Sequence, residues 1–104
     1  MPGAHRDKDE RACGAITTVE LQKTVYVDGL LWAVENDIDT HCAPRGPLRP
    51  VKTPPEIFIE NKPVIVKNDT YWANDLQPPD CLIPHSPSAK TGSSDTFAYG
   101  PDTP

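Results

Sequence analysis

The chain has 104 residues, a net charge of −5 at neutral pH and 37% hydrophobic residues, which suits one domain, 1–104, with a modest core that a metal or a partner would help to stabilise. Its pI lies near 5.0 and no basic cluster is interleaved with aromatics, so a phosphate-tracking nucleic-acid surface is not expected. No run reaches transmembrane length.

From the start, Met1 to Arg11 has no apolar core of the signal-peptide kind, so the expectation is synthesis in the cytoplasm and any export by a route without a cleaved signal. Val25-Tyr26-Val27 is a short β-branched and aromatic run followed by Asp28-Gly29, a pair suited to a tight turn, and then by the apolar return Leu31-Trp32-Ala33-Val34. This predicts a β-hairpin. Asp37 closes the unit. The same unit returns 32 residues later as Ile57-Phe58-Ile59, Glu60-Asn61, Pro63-Val64-Ile65-Val66 and Asp69. A third copy is split between the ends: Gly3-Ala4-His5-Arg6-Asp7-Lys8-Asp9 matches the end of the unit, and Thr96-Phe97-Ala98-Tyr99-Gly100 its first strand and turn.

No window shows a helical period of useful length, so the expected class is all-β. One hairpin cannot bury its own apolar face, and three can close a triangle that shares a core. Proline, at 13 of 104 residues, is more than twice its usual share of about 5%. It clusters in Pro44 to Pro55 and Pro78 to Pro87, which are expected as long, stiff loops outside the strands. Trp32, in a returning strand, is expected in the core.

Three cysteines are an odd count, and in a reducing cytoplasm they favour metal binding over a disulfide framework. Cys13 follows Asp9 by four residues, and His41 follows Asp37 by four, so the repeat places two metal-ligating side chains at equivalent positions. After Asp69 the same step lands on Ala73, but the loop beyond offers Cys81 and His85. Cys13, His41, Cys81 and His85 would make a closed tetrahedral zinc site, structural because no position stays open for water or substrate. Other readings stand beside it: Cys13 as a small buried thiol, His41 and Cys42 as loop residues, Cys42 paired with Cys81 after oxidation, or Cys42 in place of His41 or Cys13 as ligand. His5, on a terminal segment, reads as solvated. Asp9, Asp37 and Asp69 read as turn-forming groups accepting local backbone N–H donors.

Laid out in this way, the chain resembles the PAAR-repeat family, whose members cap the membrane-piercing spikes of contractile phage tails and type VI secretion systems. The family's Pro-Ala-Ala-Arg-x-Gly-Asp segment falls on Pro63 to Asp69, Leu31 to Asp37 and Gly3 to Asp9, where Pro63, Ala33, Ala4, Arg6 and the three aspartates survive. The hairpin that precedes it in the family is similar to Ile57-Phe58-Ile59-Glu60-Asn61 and to Gly92-Ser93-Ser94-Asp95-Thr96-Phe97-Ala98-Tyr99-Gly100.

The resemblance implies a small cone of stacked β-hairpins with pseudo-threefold symmetry, its base on a trimeric β-helical spike at one copy per trimer and its apex pinned by zinc. It implies zinc ligands at His41, Cys81 and His85 with Cys13 as the fourth; the family's three-histidine arrangement would put His5 in place of Cys13, and iron is the other candidate metal. The chain would be a monomer on its own, made in a host cytoplasm and carried at the tip of a virion tail baseplate, or made in a bacterial cytoplasm and delivered by type VI secretion. There it would meet the target outer membrane and help to pierce it. A type VI secretion spike tip or effector adaptor, and a freestanding zinc-stabilised interaction module, are the alternatives. No nucleophile elbow or spaced carboxylate pair marks an enzyme.

Overall fold

The computed structural model describes residues 2–51 and 56–98. Within them the chain is all-β, with ten two-residue strands: β1 (Thr17–Thr18), β2 (Tyr26–Val27), β3 (Leu30–Leu31), β4 (Ile38–Asp39), β5 (Leu48–Arg49), β6 (Phe58–Ile59), β7 (Lys62–Pro63), β8 (Thr70–Tyr71), β9 (Asp75–Leu76) and β10 (Pro84–His85). They pair antiparallel as β1 with β4, β2 with β3, β5 with β8, β6 with β7 and β9 with β10.

The sequence repeat is a structural repeat. β2 and β3 join through Asp28 and Gly29 at φ 54° and 82°, and β6 and β7 through Glu60 and Asn61 at φ 51° and 68°. Two successive positive φ values make the mirror-image turn whose twist matches a hairpin, so both expected turns form. The third hairpin is assembled from the two ends of the described chain, with Gly3 paired to Phe97 and Ala4 N–H donating to Thr96 O at 2.8 Å. Tyr99 and Gly100 of that copy lie outside the described residues. Gly3 permits this closure, because a Cβ there would overlap the Ser93 carbonyl.

Each unit then turns in the same way. Lys8, Asn36 and Asn68 sit at φ 74°, 76° and 76°, and the next residue, Asp9, Asp37 or Asp69, accepts the N–H of Arg6, Val34 or Val66 at 2.8, 2.8 and 2.9 Å. The three aspartates therefore form turns, as their residue type suggests.

The three returning strands close a ring. His5 N–H donates to Ile65 O, Ile65 N–H to Ala33 O and Ala33 N–H to His5 O, at 3.0, 2.9 and 2.8 Å. A second ring runs from Asp7 to Leu31, Glu35 to Pro63 and Lys67 to Gly3 at 2.8, 2.8 and 2.7 Å. This cyclic exchange satisfies buried backbone groups without a wide sheet, and it gives one chain a pseudo-threefold axis. The central residues His5, Ala33 and Ile65 are fully buried, as are Thr17, Leu48 and Ala89 from the segments packed next to them. Val19, Ala33, Leu48, Ile65 and Ala89 form one apolar cluster and Val34, Ile59 and Val64 another.

Three expectations change. The proline-rich stretches are not all loop, since they supply β5 and β10; Pro63 and Pro84 stand in short two-stranded pairs, where a missing N–H is tolerated. Trp32 is half-buried against the second cluster, not enclosed, with its Nε1–H donating to Ile65 O at 2.8 Å. His5 is not solvated. It occupies the ring's centre, where Nδ1–H donates to Thr91 O (2.7 Å) and Nε2 accepts from the Thr17 hydroxyl (2.6 Å).

Candidate metal centre

Beyond the turn aspartates the three units diverge, and four side chains converge there. Cys13 lies in a tight loop closed by the pairing of Glu10 with Ile16 and by Arg11 N–H donating to Ala15 O at 2.8 Å. Gly14 takes φ 91° in that loop. His41 follows β4, its N–H held by Asp39 Oδ1 at 2.9 Å. Asp75 and His85 stand opposite each other across β9 and β10. That hairpin is fastened to the His41 loop by the pairing of Cys42 with Leu76 and by a Cys42–Cys81 disulfide with Cα atoms 5.6 Å apart.

One donor atom from each of Cys13, His41, Asp75 and His85 lies within 4.8 Å of the others. Cys13 Sγ is 3.8 Å from His41 Nδ1 and 3.0 Å from Asp75 Oδ2. His41 Nδ1 is 3.3 Å from His85 Nδ1 and 3.2 Å from Asp75 Oδ2. His85 Nδ1 is 3.3 Å from Asp75 Oδ1. Bond lengths of about 2.0–2.3 Å at tetrahedral angles give ligand separations of about 3.3–3.6 Å, so the four atoms already stand near the corners of one coordination sphere. The group can hold a metal ion.

Electrostatics favour a cation. Asp75 is fully buried; burial opposes its ionisation, but hydrogen bonds from Asp39 and Cys13 and the charge of His41 outweigh it and hold the carboxyl below its ordinary range. Burial, and then the bond to Asp75, push the Cys13 thiol up to about 11, so without an ion it stays protonated and donates to Asp75. Burial and the neighbouring Asp75 push Asp39 up to about 7. Asp75 Oδ1 and Asp39 Oδ2 are the two buried side-chain oxygens without a hydrogen-bond partner among the described residues. A proton or a cation placed at this pair would relieve these oxygens.

Of the four residues picked from the sequence, Cys13, His41 and His85 come together and Cys81 does not. Its sulfur is bonded to Cys42, which removes both thiols from the ligand set and realises the oxidised pairing that spacing left open. His5 also lies outside the cluster, tied to Thr91 and Thr17. Asp75 takes the fourth place. It stands six residues after Asp69 where the other units use four, because the third unit first forms β8 and only then β9. The available signal was Asp75-Leu76 and Pro84-His85 as two short arms around a Pro-Pro-Asp turn region.

No family model matches the chain, and no curated protein matches it either.

Proposed function

We propose that the protein is a metal-stapled tip that caps a trimeric β-helical spike in a contractile injection machine, in the manner the PAAR resemblance implies. The observation that carries this reading is the arrangement of Tyr26, Phe58 and Phe97. They occupy equivalent positions on the three hairpins and remain 60%, 53% and 44% exposed. A single chain that repeats one aromatic edge three times about a pseudo-threefold axis offers each subunit of a true trimer the same contact. Aromatic residues are favoured anchors of interface cores, and strand ends at such a junction would be covered by the partner.

The ion is zinc, held by Cys13, His41, Asp75 and His85. Two imidazoles, a thiolate and a carboxylate suit its borderline-soft character and fill all four positions, so its role is structural and no reaction is catalysed. Leu82 and Ile83, exposed on the loop beside the centre, give the tip an apolar pair to meet the target membrane. The setting is a phage tail baseplate or a type VI spike.

Co-expression with a trimeric β-helical spike from the same genome tests the reading. It predicts one copy of this chain per three spike chains, and loss of the complex when Tyr26, Phe58 and Phe97 are all replaced by serine. A one-to-one complex, or none, overturns capping and leaves a freestanding metal-stabilised interaction module.

A further inference from the structure

We infer that Arg11 is the positioning residue of the metal centre: its guanidinium clamps the three chain segments that carry Cys13, His41 and His85, so that their donor atoms converge before an ion arrives. The inference rests on the metal reading above.

Arg11 is fully buried and stands two residues before Cys13. Its Nη1 donates to Gly46 O and to Pro87 O, both at 2.8 Å, and its Nη2 to Asp37 O at 3.3 Å. Asp37 and Gly46 bracket the loop that presents His41, and Pro87 follows His85 by two residues. Arg11, itself on the segment that carries Cys13, therefore ties that segment to the other two through their backbone carbonyls. Its Nε donates to Thr17 Oγ1 at 2.6 Å, whose hydroxyl serves His5 in the central ring, so the clamp is anchored to the threefold frame. Asp39 Oδ2 lies 3.6 Å from Nη1, and its other oxygen holds the His41 N–H, which extends the clamp to the backbone of a ligand.

A buried guanidinium carries a large desolvation cost, and apolar side chains fill space without it. What they cannot do is satisfy carbonyls from separate loops in fixed directions. The fork's five donors do this, and the three donors of a lysine ammonium on a flexible stem do not reproduce the directions. Groups that orient metal ligands from behind typically change affinity by about 10–100-fold when removed.

The test is competition of the full chain against a chromophoric zinc chelator, with cobalt substitution as the geometric readout. For Arg11→Lys the expectation is zinc affinity about 10–100-fold below wild type and a cobalt spectrum shifted away from the tetrahedral form. A folded Arg11→Lys chain within about twofold of wild type and with the same spectrum overturns the inference, the margin being well inside the usual effect of such groups. Should that variant fail to fold, side-chain nitrogen NMR of the metal-free wild type decides: slowly exchanging Arg11 Nε–H and Nη–H signals before zinc is added support pre-positioning, and signals that appear only afterwards overturn it. Wild type that binds no zinc fails the underlying metal reading, a result separate from either Arg11 outcome.

Discussion

At the scale of single residues, the metal centre and the buried His5 make different demands. Asp75→Asn or His85→Ala removes one of the four proposed ligands, so metal content and melting temperature should fall together; loss of metal with unchanged melting would deny the ion a structural role. Cys81→Ser separates this arrangement from one with Cys81 as ligand. It should leave one ion bound while costing about 2–4 kcal/mol, the usual worth of a disulfide, and loss of the ion on that substitution would return Cys81 to the ligand set. His5 has its own pH signature. Burial lowers its pKa from 6.5 to about 4, only partly offset by the bond to Thr91. The folded state therefore favours the neutral ring: its stabilising effect is complete above 6.5 and is lost as pH falls from 6.5 to about 4, because the unfolded chain takes up the proton first. Asp69, pushed up to about 6 by burial, and Asp39 act in the opposite sense over that window. The informative quantity is thus wild-type stability minus that of His5→Gln, which should shrink by about 3 kcal/mol between pH 7 and pH 4. A difference that stays flat would contradict the neutral, buried assignment.

At the scale of elements, each unit depends on one residue in the left-handed region ahead of its aspartate. Asn36 and Asn68 both hold φ 76°, where asparagine and glycine are tolerated and other side chains cost about 1–2 kcal/mol. Asn36→Ala and Asn68→Ala should each lower stability by about that amount in chemical denaturation, with glycine at either position neutral. Alanine variants as stable as wild type would deny the turn its strain. This part of the fold is legible in the sequence because it is local: Asp28-Gly29 and Glu60-Asn61 announce their turns, and the 32-residue offset aligns Ile59 with Val27 and Asp69 with Asp37. Cys13 and His41 are legible for the same reason, through their common step after an aspartate. Asp75, Arg11 and the placement of His5 are not. Their roles depend on contacts across tens of residues, such as Arg11 to Pro87 and His5 to Thr91, and an aspartate off the repeat's step has no periodic mark. The Cys42–Cys81 bond is a similar case, since spacing permits it without requiring it.

At the scale of the whole molecule, the chain joins two structures of different symmetry. The hydrogen-bonded rings through His5, Ala33 and Ile65 and through Asp7, Glu35 and Lys67 are threefold in backbone, and they carry three matching aromatic corners. The candidate metal centre is not threefold: one unit contributes a cysteine, one a histidine, and the third an aspartate and a histidine from an extra hairpin. The proposed spike-tip role would use both features, equivalence where it meets a trimer and a single closed staple where its loops end. Arg11 links them, because it reaches the ring through Thr17 and the staple through three carbonyls. On the proposed function, an ion completes this second structure. Native mass spectrometry of the purified full chain, set against its denatured mass and against Asp75→Asn, tests it most directly. One zinc per wild-type chain, lost on denaturation and absent from the variant, is the expected result; a native chain that carries no metal, or a zinc that survives Asp75→Asn undiminished, would deny the ion its place.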